Sequence, residues 1–153
     1  FNYVLYIVMG KVLEIGITTI KGDKITNVGR IEAIKGKGLI NDRKFKENNH
    51  KESQLTLVEV ENINYFNKIS KSNINSIDFR RNIITEGIRL NNLVGSEFFI
   101  GNVKVKAHDL CRPCKYLENK LQKNNFVKEF LIKGGLRCEI LTSGEIKVGD
   151  IIK

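Results

Sequence analysis

Short apolar and polar alternations dominate the first half of the chain. In "KVLEIGITT" the apolar positions Val12, Leu13, Ile15 and Ile17 predict a strand, and Gly22-Asp23 predicts the turn after it. "GRIEAIKGKG" predicts a second strand that ends among glycines. "LINDRKFKENNHKES" is polar and turn-rich and is expected to be an exposed loop. "QLTLVEVENI" alternates strongly at Leu55, Leu57, Val58 and Val60, which predicts a buried strand. Within "VENINYFNKISK" the period changes. Ile63, Phe66 and Ile69 fall at helical spacing, so the chain is expected to enter a helix there.

The second half repeats the strand pattern. "IDFRRNIITEGI" predicts a strand running into a turn at Glu86-Gly87. "LNNLVGSEFFIGNVKVKAHDL" predicts a short connector and two strands joined near Gly101-Asn102. "PCKYLENKLQK" has proline at its start and Tyr116, Leu117 and Leu121 at helical spacing, which predicts a short helix. "GGLRCEILTSGEIKVGDIIK" predicts two closing strands around Ser143-Gly144. Many short strands with few helices point to a β-barrel or sandwich with helical insertions.

A length of 153 residues fits one domain, and 41% hydrophobic residues supply a core. Tryptophan is absent, so that core rests mainly on Ile, Leu and Val. The net charge of +9 favours an anionic partner: nucleic acid, an acidic membrane face or a phosphorylated small molecule. Charge is the sole support for nucleic acid, because no stacking signature or reader motif accompanies it. The apolar start "FNYVLYIVMG" is too short to span a bilayer. Residues 1–8 read as an added or upstream-encoded extension, or as an edge strand, with the domain proper over 9–153. Three cysteines make a poor disulfide framework, so a reducing cytoplasm is expected.

Candidate chemistry concentrates in "LCRPCKYLE", residues 110–118. Four readings are open. A redox disulfide needs a helix start inside an alternating α/β unit, which this strand-rich chain lacks. A zinc site needs four ligands. Cys111 and Cys114 supply two, but Cys138, His50 and His108 are poorly placed to complete it. Both thiols could be small buried apolar groups, the preferred reading for Cys138. His108 suits a surface or capping role. Finally, Cys114 could be a single activated thiolate. It follows Pro113 in the expected first turn of a helix, where unpaired N–H groups, Arg112 and Lys115 favour the anion.

Taken together, "GRIEAI", "GLINDRKF", "QLTLVE", "FRRNIITEGIRL", "LVGSEFFIGNVKVKA", "LCRPCKYLE" and "GGLRCEILTSGEIKVGD" resemble a single-domain MOSC protein. That family is related to the C-terminal domain of molybdenum cofactor sulfurases. The resemblance runs over nearly everything after Met9. It departs from the pattern at Asn41, where glycine is common, although asparagine tolerates the left-handed backbone such a turn needs.

The resemblance implies a mainly β fold, a MOSC-type β-barrel with a few short helices. It also implies a pocket for the molybdenum cofactor (molybdopterin), a pterin bearing a dithiolene and a phosphate. The position matching the metal-ligating cysteine is Cys114; Cys111 is its neighbour. A thiolate suits molybdenum already held by soft sulfurs. Arg43 and Arg81 are candidates for the phosphate, with Arg80 and Arg112 weaker ones, because arginine grips phosphate bidentately. Asn82 and Thr85 are candidates for hydrogen bonds to the pterin.

Two functions follow from the resemblance. One is an oxidoreductase that reduces N-hydroxylated small molecules with electrons from a separate donor protein, since the chain has no flavin fingerprint or iron–sulfur ligand set. The other is a non-catalytic module that carries cofactor, or sulfur as a Cys114 persulfide, to an acceptor molybdoenzyme.

Overall fold

In a computed structural model of the chain, residues 9–112 and 133–153 are described. Strands form where the sequence alternates. They are β1 (Gly10–Ile17), β2 (Thr26–Val28), β3 (Arg30–Ile34), β4 (Gly38–Leu39), β5 (Leu55–Glu59), β6 (Ile83–Glu86), β7 (Glu97–Ile100), β8 (Val103–Leu110), β9 (Leu136–Ile140), β10 (Gly144–Lys147) and β11 (Ile151–Ile152). The main sheet runs β11-β7-β8-β9-β5-β6-β1, and β11 also pairs with β1. That second pairing closes a seven-stranded barrel with β2 extending it beside β1. A separate sheet, β10-β3-β4, completes the strand set. A closed mainly β barrel is therefore the observed architecture, as the resemblance implied.

Nearly all of the barrel's pairings are antiparallel, but β5 and β6 run parallel, with Leu57 opposite Ile83 and Glu59 opposite Thr85. A parallel pair needs a crossover. The helix α1 (Val60–Ile69) and a 3-10 turn, Ser76–Phe79, provide it. Glu61 and Lys68 sit at the ends that suit the helix dipole. Ile63 and Phe66 bury as the helical spacing predicts, whereas Ile69 is exposed. Ile69 falls in the last turn, and Lys71, at φ 53°, takes the chain away from the helix path.

Two cores result. Inside the barrel, Val12, Ile15, Leu55, Leu57, Ile83, Val105, Leu136 and Ile140 are buried together. Outside it, α1 and the 3-10 turn cover Val58 and Ile84 with Ile63, Phe66 and Phe79. The Phe66 and Phe79 rings meet edge-to-face, 5.8 Å apart. Val58 and Ile84 face this outer core while their neighbours Leu57 and Ile83 face the barrel, so both faces of β5–β6 are apolar.

The 39–53 segment is more than the exposed loop the sequence suggests. Asp42 within it is buried, and its Oδ1 accepts the Thr18 backbone N–H at 3.1 Å. Arg43 N–H donates to the Thr18 carbonyl at 2.7 Å. Asn41 takes φ 69°, the left-handed turn that glycine would otherwise supply. Gly135 has no substitute: at φ 102°, a Cβ there would lie 1.7 Å from the Leu57 carbonyl oxygen.

Candidate functional site

Three segments meet at the amino end of β6. The loop holding Asp42, Arg43 and Lys44 is tied to the chain just after β1, as described above. The Arg80–Asn82 segment leads into β6. Together they line a narrow cleft whose walls include Thr18, Arg43, Lys44, Arg80, Arg81 and Asn82. Three residues taken from the sequence as phosphate candidates, Arg43, Arg80 and Arg81, are thus brought to one place, although Arg43 and Arg81 are 38 positions apart.

Each cation is held differently. Arg43 is exposed. Arg81 Nε donates to the Gly134 carbonyl at 2.9 Å, which anchors its stem and leaves the rest of the guanidinium for other acceptors. Arg80 occupies the left-handed region at φ 65°, and its Nη1 donates to the Asp23 carbonyl at 2.8 Å. Lys44, which sequence reasoning passed over, is the most informative. Burial first, then the Arg43 and Arg81 charges, lower its proton affinity below the usual lysine range. A Cys111 thiolate and Asp42 act in the opposite direction. An ammonium crowded by two guanidiniums and partly withdrawn from water is stabilised by an anion, but the cleft as it stands, about 10 Å³, has room for no more than a water. The signal in the sequence was the Arg43-Lys44 pair directly after Asp42, a pattern too common on surfaces to stand out.

Cys111 belongs to the same neighbourhood. It is buried, and its N–H donates to the Gly135 carbonyl at 2.6 Å. Gly134 and Gly135 therefore bind Arg81 and Cys111 through adjacent carbonyls. Cys138 is fully buried inside β9, and burial, with a smaller contribution from Cys111, raises its thiol pKa far above the usual value. That placement matches the inert apolar role expected for it. His108 pairs with Glu139, Nε2 to Oε1 2.8 Å, on the partly covered barrel wall.

The other predicted residues divide. Asn82 reaches the cleft edge, but its side chain is engaged in joining strands. Its Oδ1 accepts from Thr56 N–H at 3.1 Å and Thr56 Oγ1 at 3.2 Å, and its Nδ2 donates to the Gly16 carbonyl at 3.0 Å. Thr85 is fully buried at the far end of β6, with Oγ1 donating to the Val58 carbonyl at 3.4 Å. It is not among the cleft residues. Arg112 is exposed and lies 3.8 Å from Asp109 in an ion pair. Cys114 and the short helix expected after Pro113 lie outside the described residues, as do residues 1–8.

A larger cleft, about 640 Å³, opens past the carboxyl ends of β5 and β6, between Glu59, Glu61, Ile88, Arg89, Leu93 and Lys153. None of the described sequence-predicted residues lines it. Glu59 Oε2 accepts from Leu90 N–H at 3.2 Å and Asn62 Nδ2 at 3.3 Å, yet burial still raises its pKa. Among the described residues, no group of three or more His, Cys, Asp and Glu converges to hold a metal, and no helix is long and apolar enough to cross a membrane.

The family model described as MOSC domain matches residues 42–153. No curated protein matches the chain in sequence. Among solved structures, the YuaD protein from Bacillus subtilis superposes with a TM-score of 0.82 at 18% identity, over 94% of both chains. YiiM from Geobacillus stearothermophilus gives 0.75 at 17% identity, over 94% of this chain and 73% of that one. YiiM from Escherichia coli gives 0.70 at 15% identity, over 94% and 68%. At such identities these likenesses concern the barrel alone. The family match from Asp42 onward takes in the loop that carries Arg43 and Lys44, the strand entry at Arg81 and the Cys111–Cys114 segment, and on it the chain belongs to the MOSC domain family.

Proposed function

We propose that the chain binds the molybdenum cofactor and reduces N-hydroxylated small molecules with electrons from a separate donor protein. The observation that carries this reading is the convergence of Arg43, Lys44 and Arg81 beside Cys111, three residues before Cys114. The side chains gathered at the cleft fit the group in charge, and the cleft, about 10 Å³, widens to admit its phosphate in this reading. Two guanidiniums and a desolvated ammonium are complementary to the cofactor's phosphate, and a thiolate at Cys114 is complementary to its metal.

In this reading Arg43 and Arg81 hold phosphate oxygens through forked N–H donors, and Lys44 adds a point charge. Asn82 acts one step behind them, fixing the strand entry that carries Arg81. Cys114 is the metal ligand, and Arg112, two positions before it in the sequence, favours its ionised form. When bound, the cofactor supplies two-electron chemistry that takes R–NHOH, two electrons and two protons to R–NH2 and water. No described residue set replaces the external donor, so a redox partner is part of the proposal.

Protein prepared in a cofactor-producing host and given an artificial electron donor is expected to reduce a hydroxylamino purine, with product formation lost in Cys114→Ser. Bound cofactor without turnover would replace the reductase reading with the carrier reading.

A further inference from the structure

The cleft of about 640 Å³ past the carboxyl ends of β5 and β6 takes no part in the cofactor reading. Its acidic groups come from the start of α1. Glu59 and Glu61 each use one carboxylate oxygen to hold the loop after β6. Glu59 Oε2 accepts from Leu90 N–H at 3.2 Å, and Glu61 Oε2 accepts from Gly87 N–H at 3.0 Å. Asn62 Nδ2 also donates to Glu59 Oε2, at 3.3 Å. The other oxygens, Glu59 Oε1 and Asn62 Oδ1, accept no hydrogen bond among the described residues and are open to solvent.

The loop held by these bonds brings a cation to the same cleft. Arg89 is exposed and lines it. Burial raises the Glu59 pKa and Arg89 is near enough to pull against that, yet the two form no ion pair. A carboxylate and a guanidinium thus share one cleft, each with hydrogen-bonding capacity to spare. An adjoining hollow of about 230 Å³ shares Glu59, Asn62, Arg89 and Asn92 and reaches Lys133. The Lys133 ammonium stands 3.5 Å from the centre of the Tyr65 ring, which holds its charge in place. The apolar part of the larger cleft is Ile88, which is buried, and Leu93, which is half-buried.

From this arrangement we propose a second ligand site, for a zwitterionic α-amino acid with an apolar side chain. Its ammonium has three N–H donors and no acceptor, and Glu59 Oε1 and Asn62 Oδ1 are the open acceptors for it. Its carboxylate meets the Arg89 guanidinium, whose paired donors match two oxygens, and Lys133 adds positive charge from the adjoining hollow. Its side chain leaves water against Ile88 and Leu93. A simple anion would face Glu59 and Glu61, and a simple cation would face Arg89 and Lys133. A divalent metal takes more free oxygen ligands than two carboxylates that are each already bonded through one oxygen. The cleft volume lies in the range of small-molecule pockets. No residue lines both this cleft and the Arg43–Lys44–Arg81 cleft, so the proposal does not rest on the cofactor reading.

The full chain, labelled with nitrogen-15, tests this by titration with L-leucine and, in parallel, isoamylamine and isocaproate, which lack its carboxylate and its ammonium respectively. The expected result is a saturable shift of the Ile88 and Leu93 backbone amide signals with leucine, and binding at least about tenfold weaker for either analogue. Arg89→Met, at an exposed position, is expected to bring leucine down to the affinity of isoamylamine. Glu59→Gln is expected to bring it down toward that of isocaproate, and Arg89→Met serves alone if Glu59→Gln does not give a folded spectrum. No saturable shift with leucine, an analogue that binds as tightly as leucine, or leucine affinity unchanged in either folded variant would overturn the proposal.

Discussion

Asn82 joins β1, β5 and the entry to β6 through a single side chain. Replacing it with alanine removes three hydrogen bonds and leaves Thr56 N–H and the Gly16 carbonyl without their partner. The expected cost is on the order of 3 kcal/mol, read as a lower urea midpoint with little change in slope. Lys44 has the opposite character. Its folded-state pKa is lowered, so at neutral pH its charge disfavours the fold, and the penalty fades as pH rises through the folded value toward 10.5. Lys44→Met is therefore expected to raise the melting temperature at pH 7 in the absence of anions while weakening phosphate binding measured by calorimetry. A lower melting temperature with phosphate affinity unchanged would identify Lys44 as a purely structural contact. At this scale the sequence showed Arg43 and Arg81 by residue type alone. It could not show that Asn82 is consumed by strand contacts, because its partners are 26 and 66 residues away.

Elements decide which of those residues meet. Phe66 seals α1 onto the outer face of β5 and β6, the parallel pair that brings Thr56 beside Asn82. Phe66→Ala is expected to cost about 3–5 kcal/mol, since it removes the ring that meets Phe79 and opens a cavity in a five-residue cluster. Glu59, at the N-terminal boundary of α1, offers a pH test. Burial raises its pKa above 4.5, so its ionisation lowers stability, with the fold favoured below the unfolded value and that advantage lost as pH rises through the folded one. Glu59→Gln is expected to raise the melting temperature at pH 7 and to have a shrinking effect as pH falls toward 4.5. An increment independent of pH would show that charge burial is not the cause. Alternation revealed β1, β3 and β5–β10, because one or both faces of those strands are at least partly buried. It missed β2, β4 and β11, which have three, two and two residues, too few for a period to register. Ile69 closes α1 as its spacing predicts, although it stays exposed.

For the whole molecule, the charge of +9 has a local expression. Part of it gathers as Arg43, Lys44 and Arg81 where loop, strand entry and glycine turn converge, and part is balanced by exposed pairs such as Lys37–Glu47 at 2.8 Å. Composition could state the surplus but not its location, which depends on barrel closure through β1 and β11. The barrel itself was legible from strand count together with the family resemblance. Its parallel β5–β6 pair was not, since alternation carries no direction. The central claim is that this basic cleft and Cys114 together hold a molybdenum cofactor. Elemental analysis of protein purified from a cofactor-producing host tests it most directly, comparing the native chain with Cys114→Ser and with Arg43→Ala/Arg81→Ala. The account predicts molybdenum near one per native chain and a large loss in both variants. Molybdenum absent from the native protein, or retained in full by both variants, would contradict it.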